Sequence, residues 1–397
     1  MAIHFVLFLL ALTPSLSALY LLFLTLLSAA VPCPQPQSRS LRFDILIPAH
    51  DEATVIASTI GSLQALNWPR ENYRLIVIAD NCSDNTADIA RNVNALVIER
   101  NEPNLRGKGY AIAFGADYSA HSGFADAIVV VDADSLASPN LLEAFAARIE
   151  QGAQALQANY GVSNPDASWR TRLMTIAYAA FHAVRGRARE RLSVSCGLRG
   201  NGMSFTHGLL AMHPLQTFSL TEDIEQGVVL GLQGIRVWHV DEARIDTEIP
   251  SSGGNAASQR ARWEFGRLEL ARKHAKSLFY NSIKNSNKIS LDLAVDLVLP
   301  PLSHLALLNS VLLLAALLLP LFIGFNAFPW LTVALINMLI YSLYIFRGWQ
   351  LCPLGLRALL TLFLAPFFML WKLLILLKSS GKKQWVKTRR NAEEDAP

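Results

Sequence analysis

The stretch Ala127-Ile-Val-Val-Val-Asp-Ala-Asp134 is an apolar, β-branched run that ends in two aspartates. A run this short, bounded by polar residues, is typical of a strand that is buried on both faces. Three similar runs precede it, and segments with helical spacing separate them. Their order predicts an α/β fold with a parallel sheet covered by helices on both faces. The predicted strands cover residues 43–48, 73–79, 95–98 and 127–131, and the predicted helices cover residues 52–66, 85–91 and 107–118.

Acidic residues follow three of these strands. The clusters are Pro48-Ala-His-Asp-Glu52, Asp80-Asn-Cys-Ser-Asp84 and Asp132-Ala-Asp134. Ligands of open α/β sheets bind beyond the carboxyl ends of the strands, so the three clusters are expected to converge on one edge. Asp51 or Asp84 could instead simply cap the next helix.

Asp132 and Asp134 carry the strongest signal of a ligand. Alternate residues of a strand point the same way, so both carboxylates can face one divalent cation. A cation held there can bridge two phosphates, which predicts a nucleotide diphosphate as the partner. Lys108, in Arg106-Gly-Lys-Gly109, opens a predicted helix where backbone N–H groups and the helix dipole also favour phosphate. Lys and Gly are common at helix starts without a ligand, so this motif alone is weak.

The composition places part of the chain in lipid. Of the 397 residues, 52% are hydrophobic and only 17% are charged, against roughly 25% in ordinary soluble domains. This excludes a fully water-soluble globule and a disordered chain. The net charge of +4 is too even a balance to indicate a nucleic-acid partner. Four widely spaced cysteines predict reduced, mostly buried thiols.

Three apolar regions are candidates for membrane segments. Residues 1–31 lack formal charge and exceed the ~20 residues that cross a bilayer, which predicts an uncleaved anchor rather than a signal peptide. Residues 297–346 predict a helical hairpin. Residues 358–377, interrupted by Pro366 and Lys372, favour a re-entrant or interfacial segment over a full span. Basic residues at Arg39 and Arg42, and in the tail 379–397, place those parts in the cytoplasm, together with a soluble domain at residues 42–288.

The ordered set of motifs resembles the membrane-bound family 2 inverting glycosyltransferases, which include cellulose, hyaluronan and poly-N-acetylglucosamine synthases and ceramide glucosyltransferase. The resemblance implies a GT-A fold that binds a nucleotide-sugar, usually a UDP-sugar, with Mg²⁺ or Mn²⁺. The motifs are Pro48–Glu52, Asp80–Asp84, Arg106–Gly109, Asp132–Asp134, Thr221-Glu-Asp223 and Gln259-Arg-Ala-Arg-Trp263.

The resemblance also implies a role for each motif. Asp223 would be the catalytic base, and Asp132 with Asp134 would hold the metal and the diphosphate. The donor would contact Pro48, Glu52, Asp80, Lys108, Asp132, Asp134, Gln259 and Arg262, and the acceptor would contact Asn201, Gly202, Glu222 and Trp263. By itself, Thr221-Glu-Asp223 would be interpreted as a helix N-cap, and an isolated Arg-Trp pair as a membrane-interface pair.

One region differs in sequence from the polymer synthases, and another belongs to none of the motifs. Residues 197–205 read GLRGNGMSF, where the synthases have a different acceptor motif, and the membrane portion is too small for a secretion pore. Residues 169–192 form a basic helical stretch that is expected to lie on the anionic inner leaflet, unless it is an ordinary solvated helix face.

These features predict an integral membrane enzyme, expected in the bacterial inner (plasma) membrane with a cytoplasmic catalytic domain. It would transfer single sugars to a membrane-associated lipid or glycan acceptor in exopolysaccharide or glycolipid assembly. A processive polysaccharide synthase is the alternative within the same class. An inactive membrane scaffold or transport component is the alternative of another class, which the intact acidic motifs disfavour.

Overall fold

The computed structural model describes residues 2–249 and 253–370, with only the backbone described for residues 253–263. One eight-stranded sheet forms the centre of the soluble part, in the spatial order β3-β2-β1-β4-β7-β6-β8-β5. The strands are β1 (Phe43–Ala49), β2 (Tyr73–Asp80), β3 (Leu96–Arg100), β4 (Ala127–Val130), β5 (Ser135–Ala137), β6 (Ala155–Val162), β7 (Met203–Thr206) and β8 (Val237–Thr247).

Fourteen α-helices lie within the described residues. They are α1 (Ala2–Leu26), α2 (Ile56–Gln64), α3 (Thr86–Asn92), α4 (Lys108–Ser122), α5 (Leu141–Glu150), α6 (Trp169–Tyr178), α7 (Arg185–Leu192), α8 (His207–Met212), α9 (Glu222–Leu232), α10 (Gly253–Lys284), α11 (Lys288–Val298), α12 (Leu302–Ile323), α13 (Phe328–Leu351) and α14 (Arg357–Thr361). A π-helical segment, Ala179–Val184, joins α6 to α7, so that they form one continuous helical run.

The four strands predicted from the sequence pair in parallel, because β1 lies between β2 and β4 and β3 pairs with β2. The rest of the sheet is not parallel throughout. Strand β7 runs antiparallel to both β4 and β6, and β5 runs antiparallel to β8. The parallel pairing predicted for the first four strands is therefore confirmed. The mixed directions of the other four were not predicted, because an apolar pattern marks a strand without giving its direction.

Helices cover both faces of the sheet, as predicted. Ile45 and Ile47 of β1 point to one face, where they join a core that includes Phe145 of α5. Leu46, between them, points to the other face and packs in the core with Ile112 of α4. Phe145 is fully buried, and burial of such a side chain contributes roughly 1.5–3 kcal/mol to folding. The strand ends are therefore held rigidly in place.

Three helices of the described chain, α1, α12 and α13, are long and apolar enough to cross a membrane. Helices α12 and α13 form a hairpin, and α1 packs against both. Asn337 of α13 donates hydrogen bonds to Ser15 of α1 (3.1 Å) and to Asn309 of α12 (3.1 Å), which ties the three together. Of the segment predicted at 358–377, the structure describes a short apolar helix, Arg357–Leu370. The remainder, and the tail 379–397, lie outside the described residues.

The basic stretch 169–192 is only partly exposed, because two of its arginines are buried. Arg185 and Arg189 of α7 are buried, and both pair with Asp296 of α11, at 3.0 and 2.9 Å. The expectation of a basic surface helix is wrong for these two residues. Their carboxylate partner lies more than a hundred positions later in the chain, beyond the reach of local sequence patterns.

Candidate active site

The carboxyl end of β4 presents Asp132 and Asp134, while Ala133 between them is buried. This is the alternation predicted from the sequence. Lys108, the first residue of α4, makes an ion pair with Asp132 Oδ1, and its Nζ donates a 2.5 Å hydrogen bond to the carbonyl of Gly200. Asp134 Oδ1 accepts from Ser135 Oγ at 3.2 Å. The two aspartates and the lysine thus share one edge of the sheet.

Asn201 and Gly202 are buried directly beneath this edge. Asn201 Oδ1 accepts a 3.1 Å hydrogen bond from the backbone N–H of Asp132, and its Nδ2 donates to Ser135 Oγ at 2.8 Å. Gly202 adopts a φ of +68°, and a Cβ there would lie 2.8 Å from the side chain of Ile245. Asn201 thus holds the Asp132–Ser135 turn in place, while the backbone of Gly202 bonds to Val130 and Ala158. The prediction that both residues contact an acceptor stays a prediction.

The first turn of α9 brings Glu222 and Asp223 to the same edge. A Cβ at Gly200 would lie 3.2 Å from Asp223 Oδ2 and 3.5 Å from Lys108 Nζ, so Asp223 and Lys108 approach the same backbone residue. Gly200 has a φ of +80°, which favours glycine, and its bare backbone leaves room for both side chains. Thr221 stands at the N-cap position but makes no side-chain capping bond, so capping alone does not explain the motif.

Burial and mutual repulsion raise the pKa values of these carboxyl groups. Burial, followed by the neighbouring Asp223 charge, raises the pKa of Glu222 to about 7. Burial also raises the pKa of Asp223, against the opposing effects of the Ile224 N–H, Lys108 and Arg199. Burial and the charge of the neighbouring Asp134 also raise the pKa of Asp132, against the opposing charge of Lys108. The edge therefore concentrates negative charge and favours cations and protons.

The pKa of Lys108 is also raised, which favours its charged form. Burial opposes its charge, but the carboxylates of Asp132, Glu222 and Asp223 outweigh burial and raise its pKa. The ammonium group is therefore a stable positive charge between the β4 aspartates and α9.

A second region lies at the carboxyl end of β2. Asp80 is buried and accepts a 2.6 Å hydrogen bond from Arg100 Nη1, at the end of β3. The Arg100 guanidinium lies 5.5 Å from the centre of the Tyr110 ring, which stacks on Phe218 with centroids 4.1 Å apart. Phe218 is 44% exposed, so the stack opens to solvent. Sequence reasoning missed these three residues, because none belongs to a motif.

The loop after β1 is tied to the loop after β2. The backbone N–H of Glu52 donates to Thr86 Oγ1 at 2.8 Å, and Asp51 accepts from the Ser83 N–H at 2.6 Å. Pro48 is half-buried at the end of β1. Asp51, Cys82 and Asp84 could also hold a metal by distance. Asp51 and Asp84 already accept backbone N–H groups, so this cluster is explained by loop structure.

Tyr160, at the end of β6, is a further residue that the sequence analysis missed. Its hydroxyl has a pKa raised well above its ordinary value, through burial, Tyr178 and the charges of Asp132 and Asp134. Its ring packs on Tyr178 and His182, with centroids 5.5 and 5.2 Å away. It therefore forms an aromatic wall near the aspartates.

The motif Gln259–Trp263 lies on α10, but the side chains of Gln259, Arg262 and Trp263 are outside the described residues. The next turn shows where α10 runs. A Cβ at Gly266 would lie 2.6 Å from the Thr221 side chain, so α10 packs tightly over the start of α9.

Residues 41–266, more than half of the chain, match the family described as glycosyltransferase like family 2. The chain belongs to glycosyltransferase-like family 2. The resemblance inferred from the ordered motifs is thereby confirmed.

This family 2 glycosyltransferase has relatives that include polysaccharide synthases. It is 24% identical over 249 residues to the probable glycosyltransferase YdaM of Bacillus subtilis, covering 60% of this chain and 58% of that protein. It is 25% identical over 234 residues to a poly-beta-1,6-N-acetyl-D-glucosamine synthase of Staphylococcus aureus, covering 57% of this chain and 54% of the synthase. The chain thus spans somewhat more than half the length of these two relatives.

Among solved structures, this family 2 glycosyltransferase is similar to the mannosyltransferase PcManGT from Pyrobaculum calidifontis, solved in complex with GDP-Man and Mn²⁺. The TM-score is 0.51 at 16% identity, covering 85% of this chain and 97% of that one. At this identity the likeness shows the fold alone. It confirms the predicted α/β, GT-A class, with apolar helices at both ends of the described chain.

Proposed function

We propose that the chain is an inverting glycosyltransferase that moves a sugar from a nucleotide-sugar, in the first place a UDP-sugar, to a membrane-associated lipid or glycan acceptor. The observation that carries the proposal is the convergence of Asp132, Lys108 and Asp223 around Gly200. It combines the features that such a transfer requires, namely a cation site, a fixed positive charge for phosphate and a separate carboxylate base.

The carboxylates of Asp132 and Asp134 fit Mg²⁺ or Mn²⁺. Both are hard oxygen donors at one strand end. Burial, with the charges of Asp134 and Asp223, raises the pKa of Asp132, so a divalent cation is electrostatically favoured there. A bound metal would stabilise the charge that develops on the departing diphosphate. Asp134 and Asp132 would hold it, and Lys108 would contact the phosphate oxygens next to it.

Asp223 is proposed as the base. Inversion requires a carboxylate that takes the proton of the acceptor hydroxyl while that oxygen attacks the anomeric carbon from the face opposite the diphosphate. It lies beside Gly200, close to Lys108, so the base is near the proposed phosphate-binding group. Its raised pKa makes it a stronger base than an exposed aspartate. Asn201 is proposed to position the Asp132 turn, and Gly202 to allow close packing against Ile245.

The nucleoside is proposed to lie at the ends of β1 and β2, near Pro48, Glu52 and Asp80. The exposed stack of Tyr110 and Phe218 offers an aromatic surface beside Asp80. On α10, Gln259 and Arg262 are proposed to contact the diphosphate and Trp263 the acceptor, with Glu222 beside the acceptor.

The catalytic domain is proposed to be cytoplasmic, at the plasma membrane of a bacterium, and the arrangement of the apolar helices supports the side of the membrane. Arg347 near the end of α13 donates a 2.8 Å hydrogen bond to the Ser28 carbonyl just after α1, so these two helix ends lie together. The chain continues from Ser28 to β1, which places both ends on the side of the soluble domain. The opposite ends carry no formal charge, as the positive-inside tendency requires for an outer side.

The test is turnover by the purified full-length protein of labelled UDP-glucose, UDP-galactose, UDP-N-acetylglucosamine and GDP-mannose, with Mn²⁺ or Mg²⁺ and extracted membrane lipid. Products are separated by size. A single labelled lipid product is expected, and it should disappear with EDTA and in the double variant Asp132→Asn, Asp134→Asn. A ladder of long products would contradict single transfer and would indicate processive synthesis. If no donor is consumed by folded protein, the scaffold alternative replaces catalysis.

A further inference from the structure

A cluster of buried charges lies where the soluble domain meets the membrane helices. We call it the arginine cluster, and its described members are Arg185, Arg189, Arg199, Arg267, Asp292 and Asp296. Among the described residues it holds four guanidinium groups and two carboxylates. The imbalance is unusual for buried groups, because a desolvated charge without a partner is costly.

Two of the arginines are well paired. Arg189 Nε lies 2.8 Å from Asp292 Oδ2, and its Nη2 lies 2.9 Å from Asp296 Oδ1. Arg185 Nη1 lies 3.0 Å from the same Asp296 oxygen. The carboxylates of the cluster are thus engaged by α7.

The other two arginines lie farther from the carboxylates of the cluster or bond only to backbone carbonyls. Arg199 lies 3.8 Å from Asp296 Oδ2, and the hydrogen bond from its Nη2 goes to the Cys196 carbonyl at 3.1 Å. Arg267 donates to the backbone carbonyls of Asp296 and Leu299. Burial, followed by the charges of neighbouring arginines, lowers the pKa of Arg199 and lowers that of Arg267 to about 10, against the opposing charge of Asp296. Both groups therefore lie in a field that favours a further anion.

Arg199, Arg267 and Asp296 line a cavity of about 40 Å³. One water needs roughly 10–15 Å³ on this scale, so the cavity has room for about three waters or one tetrahedral oxyanion. Ile224, next to Asp223, also lines it, and Gly200, next to Arg199, faces the Asp223 carboxylate. On the other side, α11 ends at Val298, just before α12 begins at Leu302. The cavity therefore lies between the proposed base and the start of a membrane helix.

We propose that this cavity binds a phosphate group of the acceptor, through the guanidinium groups of Arg199 and Arg267. The planar fork of arginine matches phosphate oxygens and keeps its charge when buried. A phosphate held there would lie at the level of lipid headgroups and would direct the rest of the acceptor towards Asp223. The inference rests on the proposed function and narrows its acceptor to one that carries a phosphate.

The test measures binding of dodecyl phosphate, dodecanol and inorganic phosphate to the full-length protein in a maltoside detergent, which itself contains no phosphate. Calorimetric titration is done on the wild type, Arg199→Gln, Arg267→Gln and Arg199→Lys. Arg236→Gln is the matched control, because Arg236 is similarly buried but pairs with Glu190 outside the cavity. The folding of each variant is checked by its thermal unfolding midpoint.

The expected result is that dodecyl phosphate binds and dodecanol does not. Arg199→Gln and Arg267→Gln should each weaken binding about tenfold or more, Arg199→Lys should weaken it less, and Arg236→Gln should leave it unchanged. Tighter binding of dodecyl phosphate than of inorganic phosphate identifies a lipid headgroup as the source, and equal binding identifies free phosphate. The proposal is overturned if dodecyl phosphate and dodecanol bind alike, or if both glutamine variants bind as the wild type does.

Donor hydrolysis without acceptor is measured on the same samples. Donor turnover without phosphate binding would remove the phosphate site and leave the proposed transferase intact. Phosphate binding without turnover of any nucleotide-sugar would contradict the transferase instead.

Discussion

The edge of the sheet and the arginine cluster hold buried charges in opposite proportion. Among the described residues, the edge sets Asp132, Asp134, Glu222 and Asp223 around the single ammonium of Lys108. The arginine cluster sets four guanidinium groups around two carboxylates. Carboxyl groups can take up protons, and burial raises the pKa values of Asp132, Glu222 and Asp223 at the edge. Arginine cannot release its proton at neutral pH, so the cluster can be balanced only by an anion. The excess of carboxylates at the edge favours a cation as its ligand, and the excess of guanidinium groups in the arginine cluster favours an anion.

The largest expected effect is a fall in kcat caused by a change at the acidic edge of the sheet. Asp223→Asn removes the proposed base without changing the size of the side chain, and general base catalysis contributes about 10²–10⁴-fold. We expect kcat to fall by that factor while the donor KM stays unchanged, measured with the nucleotide-sugar that the wild type turns over. Asp117→Asn, an exposed change on α4, is the control and should retain full activity. Retention of kcat in Asp223→Asn would exclude this residue as the base.

The second effect is on stability, at the arginine cluster. Arg189→Met leaves Asp292 and Asp296 buried with fewer partners, and breaking a buried ion pair in this way costs about 3–5 kcal/mol. The free energy of unfolding is measured by denaturant titration in detergent. Arg172→Met, which breaks the exposed pair with Asp166, should cost less than about 1 kcal/mol. Equal losses in the two variants would mean that the cluster is not desolvated.

The third expected effect is a rise in the donor KM, which reports binding of the donor and not the chemical step. Lys108→Gln removes a charged hydrogen-bond donor from the proposed diphosphate site, and such a bond contributes about 1.5–3 kcal/mol. The donor KM should rise by about tenfold to a hundredfold. Steady-state kinetics at saturating acceptor measure it, with Lys276→Gln on α10 as the control. An unchanged donor KM would place the diphosphate elsewhere.

The smallest effect is a difference in pH dependence between the two regions. The pKa of Glu222 is raised to about 7, so the folded protein holds a proton that the unfolded chain has lost, and this group lowers stability as pH rises from about 4.5 to 7. Glu222→Gln should remove that decline. Burial opposes the charge of Asp296, but Arg189 and Arg185 outweigh it and hold its pKa well below its ordinary value. Its contribution is present above about pH 4 and is lost as pH falls further.

Unfolding midpoints measured in metal-free buffer at a series of pH values check this prediction. Asp117→Asn is again the control. A stability profile of Glu222→Gln that runs parallel to the wild type between pH 4.5 and 7 would contradict the raised pKa.

Much of the edge could be predicted from local sequence. The alternation Asp132-Ala-Asp134 after a β-branched run gives the facing of both carboxylates, because the period of a strand is two. The position of Lys108 follows in the same way from the glycine-flanked start of a helix. Arg100 and Tyr160 were missed, because Arg100 acts through Asp80 on another strand and Tyr160 through contacts formed only when β6 joins the sheet.

The sequence by itself determined the strands β1 to β4, the apolar helices and the order of the acidic motifs, because these depend on short-range periodicity and on segment length. Only the tertiary structure decided the mixed strand directions of the other half of the sheet, the burial of Asn201 and the pairing of Arg185 and Arg189 with Asp296. Those outcomes depend on contacts between residues far apart in the chain. Local sequence does not distinguish a charged side chain that is exposed to solvent from one that is paired with a buried residue.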